Sequence, residues 1–375
     1  TSKGVFSITS SEFEKMYRNL YASGYDGQTT VTMDGYEDPT ERENLLISGN
    51  LINELTFGST KHTLLIGTEM IDTENSNLRH DTYWSTTQTD KESFFITRPM
   101  DFSVNVDGVA TSVDFATNLK SKTESDIEVT SFYIQDQIDV NESLKLMLGA
   151  RVDTFDITVK DIKSGTSQSR EDDEVSPRAG IIFKPAENIS WYVSYSESFL
   201  PRSGEQFKKL TADAARLDPD VFENTEFGVK WEITADLYFT AAYFDSEQIK
   251  AVRDSETGEN SEIVGLQVGG FELELKGDVN EKLSIAIGVT SMDGETSSGG
   301  EPREIPDTQA SLWTTYQVND RFGWGLGFTH QGKSNINNNK SGLRLPDYTR
   351  VDFAVYYMIS DEWNMQLNLE NLTDE

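Results

Sequence analysis

The sequence predicts an all-β protein: an antiparallel transmembrane β-barrel with about fourteen to sixteen strands present. Three observations carry that prediction. Apolar and polar residues alternate with period two along most of the chain. Short polar turns alternate with long polar connections. Tryptophans gather beside the short turns.

The alternation is clearest near the C-terminal end. Trp363, Met365, Leu367 and Leu369 interleave with Asn364, Gln366 and Asn368. Leu283, Ile285, Ile287 and Val289 alternate with Ser284, Ala286, Gly288 and Thr290. Phe322, Trp324, Leu326 and Phe328 alternate with glycines and Thr329, and Val351, Phe353, Val355 and Tyr357 with Asp352, Ala354 and Tyr356. Successive side chains of a strand point to opposite faces, so each run has one apolar face and one polar or small one. Helical spacing accounts for none of them.

Seven short turns join these runs in pairs, at 58–61, 141–142, 185–188, 234–236, 280–281, 319–321 and 360–362. Longer connections are expected at 79–126, 161–174, 201–222, 254–261, 297–306 and 333–346. Short turns on one side and long loops on the other is the layout of an outer-membrane barrel. Fourteen strands are expected from Glu41 onward, with one or two more within 5–36. Trp191, Trp231, Trp324 and Trp363 each lie within about three residues of a short turn, as an aromatic girdle at one membrane boundary requires. A soluble β-sandwich capped by these tryptophans is the competing reading. The chain runs out of its last strand into a polar stub at 371–375, so a piece of a larger barrel, lacking its final strand, is expected.

Composition narrows the function. The 375 residues carry 32 Lys+Arg against 64 Asp+Glu, a net charge of −32, which argues against a broad nucleic-acid-binding surface. No run approaches the roughly 18–20 apolar residues of a membrane helix. With no cysteine, disulfides, thiolate metal sites and cysteine nucleophiles are excluded. His62, His80 and His330 are scattered, and neither HExxH, GxSxG nor a P-loop occurs, so no catalytic residue and no metal ligand set is assigned. No enzyme is expected, although barrel-rim hydrolases built from Asp, Ser and His exist.

Certain segments resemble a known family. "SYSESFLPRSGEQF" at 194–207, "LDPDVFENTEFGVKWEI" at 217–233 and "GFELELKGDVNEKLSIAIGVTSMDGE" at 270–295 look like TonB-dependent siderophore receptors. "KHTLLIGTEM" at 61–70, "LWTTYQV" at 312–318, "LPDYTRVDFAVYY" at 345–357 and "QLNLENLTD" at 366–374 extend the match. Catecholate-type ferric-siderophore receptors are the nearest resemblance. It implies a Gram-negative outer-membrane barrel of about 22 strands with an N-terminal plug in its lumen. Residues 1–375 would then be a partial barrel domain without the plug. It also implies active import of a ferric siderophore with energy from the TonB complex acting through the plug, and no covalently bound cofactor. Lipid and lipopolysaccharide would surround a monomer. A same-architecture receptor for a cobalamin or an oligosaccharide, and a passive porin, are the alternatives.

Ferric siderophores are often anionic, so their sites call for Arg, Lys and aromatics in a shielded vestibule. Residues 333–346 hold Lys333, Lys340 and Arg344 with no acid, a local +3. Residues 200–217 hold Arg202, Lys208, Lys209 and Arg216 against Glu205 and Asp213, a local +2, flanked by Phe199 and Phe207. The connection at 79–126 adds Arg79, His80, Tyr83, Trp84 and Arg98, and its length suits a binding loop. Each basic residue has a plainer reading as a solvated loop cation, and Arg202 one as a shaper of its turn. His330 is expected to be a hydrogen-bonded lumen residue rather than a metal ligand, and His62 a structural one. "REDDE" at 170–174 is either a collector of divalent cations or a solvated acidic loop.

Overall fold

In the computed structural model, which describes residues 2–202, 207, 209–253, 260–336 and 343–374 (without the side chains of 253 and 260), the alternating runs pair into one antiparallel ladder. It opens with β1 (Ser2–Lys15), continued upward by β2 (Arg18–Tyr25), and returns through β3 (Thr30–Glu37) and β4 (Thr40–Phe57). Then follow β5 (Thr60–Trp84), the short β6 (Glu92–Phe95), β7 (Val113–Asp139), β8 (Leu144–Asp161), β9 (Thr166–Ala186) and β10 (Ile189–Leu200). Next are β11 (Asp220–Thr234), β12 (Leu237–Arg253), β13 (Asn260–Asn280), β14 (Leu283–Thr296), β15 (Thr308–Asn319) and β16 (Phe322–Gln331). After a two-residue pair, β17 (Ser334–Asn335) with β18 (Arg344–Leu345), come β19 (Tyr348–Ser360) and β20 (Trp363–Leu369).

The ladder runs β1–β4–β5–β7 and then in sequence order through β16, β19 and β20. Fourteen of its strands start at Thr40 or later, the number expected. All seven short turns fall where the polar dipeptides placed them. β6 adds to the far end of β3, building a lobe whose small core is Val31, Met33, Trp84 and Phe94.

Two long connections are shorter than expected. β5 and β7 have 25 and 27 residues, so 79–84 and 113–126 are strand, where loop was expected. The connection at 161–174 shrinks to 162–165, and the "REDDE" run lies within β9, in register with β8. About 9–11 residues suffice to cross the bilayer, so the excess lies outside it. There neither face needs to be apolar, and the period-two signal that marks a membrane strand fades from the sequence.

Polarity inverts along β7 and β8. In their lower halves Phe132, Ile134, Leu148 and Val152 are exposed on the outward face, while Ser131, Tyr133, Arg151 and Asp153 face inward. One or two turns of the pleat higher, Ile127, Phe155, Ile157 and Val159 are buried on the inward face. The outward face there carries Glu124, Asp126, Glu128 and Asp156. Outward carboxylates even stand directly opposite one another, as in Glu12–Glu43–Glu74–Asp126. Like charges so paired are destabilising, and only water makes such rows tolerable. The lipid boundary therefore lies below them.

Inward aromatic rings rest on glycines. A Cβ on Gly67 would come within 2.2 Å of the Tyr133 ring, and one on Gly228 within 2.6 Å of Tyr192. Only a residue without a side chain admits these rings flat on the strand. Tyr133 then donates to Asn50 Oδ1 at 2.8 Å, and Tyr192 to the Glu226 carboxylate.

Of the girdle tryptophans, Trp191, Trp231 and Trp363 are exposed beside the short turns, and Trp191 stacks on Phe227 at 5.9 Å. Trp324 is half-buried beside Tyr316, with ring centroids 5.7 Å apart.

Candidate ligand-binding mouth

The inward apolar patch on β7 and β8 is covered by the β10–β11 connection. Leu210 is 7% exposed among Ile127, Phe155, Ile157 and Val159, with Phe199, Phe207, Ala214 and Ala215 packed around them. Burying a leucine this way contributes about 1.5–3 kcal/mol. Ser125 donates its hydroxyl to the Phe207 carbonyl, and the Phe207 ring lies 5.2 Å from the Arg42 guanidinium. Phe199 and Phe207 are thus packing residues on the wall side of the loop.

Arginines fasten this loop from both ends. Arg170 on β9 pairs with Asp172, donates to the Ala215 carbonyl at 3.0 Å and reaches Asp218 at 3.3 Å. Burial works against its charge, but bonding to Asp172 and Asp218 more than offsets that and raises its pKa. Arg202 pairs with Asp220 at 2.8 Å and donates to the Asp218 and Ala251 carbonyls. These bonds tie its guanidinium to both ends of the loop and to β12. Lys209 and Arg216 are exposed on the loop. Lys208 lies outside the described residues.

A second constellation sits higher, where β2, β3 and β5 meet. Tyr17, Tyr21 and Tyr36 form an aromatic cluster, with centroids 5.7 Å and 6.3 Å from Tyr36. The Arg79 guanidinium lies 3.8 Å from the Tyr36 ring centroid and is held by Asp81 at 3.2 Å. Lys120 reaches the other Asp81 oxygen at 3.2 Å, and Arg18 lies 4.7 Å from the Phe115 ring. Burial, then the neighbouring Asp34 charge, raises the Tyr21 pKa above its ordinary 10.0, which keeps the phenol a hydrogen-bond donor. Tyr17 and Tyr21 remain exposed, so their rings are open to a ligand, while Arg18 pairs with Glu37 and both Arg79 and Lys120 with Asp81.

Of the sequence-predicted residues, only Arg79 belongs to this cluster. Tyr83 is half-buried, Trp84 is fully buried in the lobe core, and Arg98 is exposed. Lys333 lies 3.8 Å from Asp347, and Arg344 pairs with Glu301. Two of the three charges read at 333–346 are therefore offset, by Asp347 next to that window and by Glu301 on the β14–β15 connection. Lys340 lies outside the described residues. Sequence reasoning missed Tyr17, Tyr21, Tyr36 and Arg18, which fall in a region read only as one or two extra strands. The aromatic spacing in "MYRNLYASGY" was the available signal.

His62 and His330 behave as structural residues. His62 Nδ1 lies 2.7 Å from Asp136, and His330 Nδ1 lies 2.9 Å from the Thr349 hydroxyl. Among the described residues no group of three or more His, Asp or Glu is arranged to hold a metal ion.

A family model described as "TonB dependent receptor-like, beta-barrel" matches residues 6–372. The chain belongs to that family. Members are Gram-negative outer-membrane β-barrels that act as transport receptors rather than enzymes, which places this chain in the outer membrane. It is similar to a probable TonB-dependent siderophore receptor, PiuA, of Acinetobacter baumannii, with 29% identity over 302 residues. That alignment takes in 71% of this chain and 39% of the relative. The ferrioxamine B receptor of Salmonella typhimurium is 25% identical over 95% of this chain and 50% of its own length. The chain thus spans half or less of these two relatives. Among solved structures, the ferric-catecholate import receptor Fiu of Escherichia coli K12, in its closed form, superposes with a TM-score of 0.82 at 17% identity. That match covers all of this chain and 58% of the other. The crystal structure of PiuA gives a TM-score of 0.72 at 23% identity over 61% of its chain.

Proposed function

We propose that the protein containing this chain is a receptor that binds a ferric siderophore of catecholate type at its outer mouth and imports it with TonB-derived energy. The observation that carries the reading is the Tyr17–Tyr21–Tyr36 cluster with Arg79 stacked on it. A ferric catecholate presents flat aryl rings and excess negative charge. Ring faces take the rings, and cations take the charge. Family membership and the siderophore names of the relatives support the same reading.

In this reading the exposed Lys209, Arg216 and Arg98 raise the local concentration of the anion around the mouth, against the acidic background. A plug domain outside this chain would occupy the lumen and receive the TonB force, and the monomer would be ringed by lipid and lipopolysaccharide. Iron-starved cells carrying the complete gene should accumulate a labelled ferric tris-catecholate and lose it when TonB is deleted. Uptake of a cobalamin or an oligosaccharide, with no ferric chelate taken up, would replace this reading with that of another scarce-solute receptor.

A further inference from the structure

Above the lipid boundary the outward face of the wall is acidic. Two rows of carboxylates cross it: Glu12–Glu43–Glu74–Asp126 on β1, β4, β5 and β7, and Asp72–Glu128–Asp156–Glu171 on β5, β7, β8 and β9. Every member is exposed. Side chains directly opposite one another on paired strands stand about 4.5–5.5 Å apart, close enough for each carboxylate to repel the next. Among the described residues Lys160 alone pairs with a member, meeting Asp126 at 2.9 Å, and both side chains are about half exposed. Lys122 stands two rows above Asp126. The arginines of the same strands point the other way: Arg42 bonds to Asn75, and Arg151 and Arg170 pair with Glu69, Asp153 and Asp172. The protein thus neutralises its inner wall from within and leaves the outer one to the medium. No three His, Asp or Glu among the described residues are arranged to hold a metal ion, so the rows suit a diffuse layer of cations rather than ions at fixed positions.

We propose that the upper half of this wall is salt-dependent: its strands stay firmly paired only when a diffuse layer of monovalent cations screens the carboxylate rows, in a medium of several tenths molar salt. Screening must act over the distance between neighbours in a row. The Debye length is about 10 Å at 0.1 M, longer than that spacing, and about 3 Å at 1 M, shorter than it, so repulsion along a row is quenched between these limits. Below the rows the outward face is apolar, with Phe132, Ile134, Leu148 and Val152, and salt has no charge there to act on. The dependence is therefore local to the strands above the bilayer. It stands apart from the siderophore reading and involves no transported ligand.

The test is amide hydrogen exchange of the complete receptor, purified in detergent and freed of lipopolysaccharide, at about 0.02 M and about 0.5 M NaCl. Residues 41–47, 70–76 and 124–130 should exchange about tenfold faster at the lower salt, because each row holds three adjacent repulsions. Residues 50–56 and 63–68, beside the apolar band, should change about twofold or less. Glu43→Gln with Glu74→Gln, both exposed and in mid-row, should shrink the tenfold difference to about threefold or less. Asp72→Asn with Glu128→Gln tests the same point on the second row should the first pair fold poorly. Potassium chloride and tetramethylammonium chloride should serve as well as NaCl. Equal exchange at both salts, or a salt effect undiminished in a variant carrying both neutralised pairs, would overturn the proposal. Protection by about 1 mM Mg²⁺ at constant ionic strength, with NaCl inert, would also overturn it, by pointing to a bound divalent ion instead of screening.

Discussion

Replacing Arg79 with glutamine removes one charge from the aromatic cluster while keeping much of the side chain's bulk. Arg79 is engaged twice, by the Tyr36 ring at 3.8 Å and by Asp81 at 3.2 Å. The ring contact contributes about 0.5–2 kcal/mol at this partly buried site. The lost ion pair is softened, because Lys120 still holds Asp81 at 3.2 Å. The fold should therefore tolerate the change, losing about 1–3 kcal/mol, since Asp81 is buried but keeps Lys120. An anionic chelate, by contrast, would lose a charge-assisted hydrogen bond of about 1.5–3 kcal/mol, a factor of roughly ten to a hundred in Kd. The assay is fluorescence titration of the purified complete receptor with ferric tris-catecholate, with heat-modifiable gel mobility as the folding control. Tyr36→Ala should weaken binding as well, and Tyr36→Phe far less. A normally folded Arg79→Gln receptor with unchanged Kd would refute the assignment of the cluster as the binding surface.

Gly67→Ala drives a methyl group into the Tyr133 ring and should destabilise the refolded barrel by about 1–3 kcal/mol in a urea titration, with much of the loss restored by adding Tyr133→Ala. Phe155→Ala should cost about 3–5 kcal/mol where its ring packs under the β10–β11 loop, read as faster amide exchange in 209–218; exchange confined to other segments would contradict the packing. The Asp26 carboxylate accepts amide hydrogens from Thr30, Gln28 and Thr29 at the β2–β3 tip, which lowers its pKa below the ordinary 3.8. A folded-state pKa below the unfolded one stabilises the tip above the unfolded value and is lost as pH falls through the folded one. An NMR titration should accordingly give a midpoint under 3.8, and Asp26→Asn should remove that acid-range transition.

Strand existence and turn position were legible because lipid imposes a strict rule. A membrane strand must be apolar on its outward face, and residues such as Phe132, Ile134, Leu148 and Val152 record that rule as period-two spacing. The unrecognised strand at 166–174 shows where the rule stops applying. Beyond the bilayer, "SQSREDDE" pairs with β8 through backbone bonds that leave no side-chain signature. Basic residues were easy to find and hard to rank. Arg202, Lys333 and Arg344 look alike as loop cations in the sequence, but Asp220, Asp347 and Glu301, which pair with them, come from beyond the turn that holds each one.

By itself, then, the sequence determined the period of the wall, its seven short turns and its membrane setting, all of which follow from local alternation and turn chemistry. Only the tertiary structure decided which residues share the mouth. Arg79 meets Tyr36 because β3 and β5 are neighbours in the ladder, and Leu210 finds Ile157 because a long loop folds inward. Such contacts join residues more than forty positions apart, and no local pattern encodes their meeting.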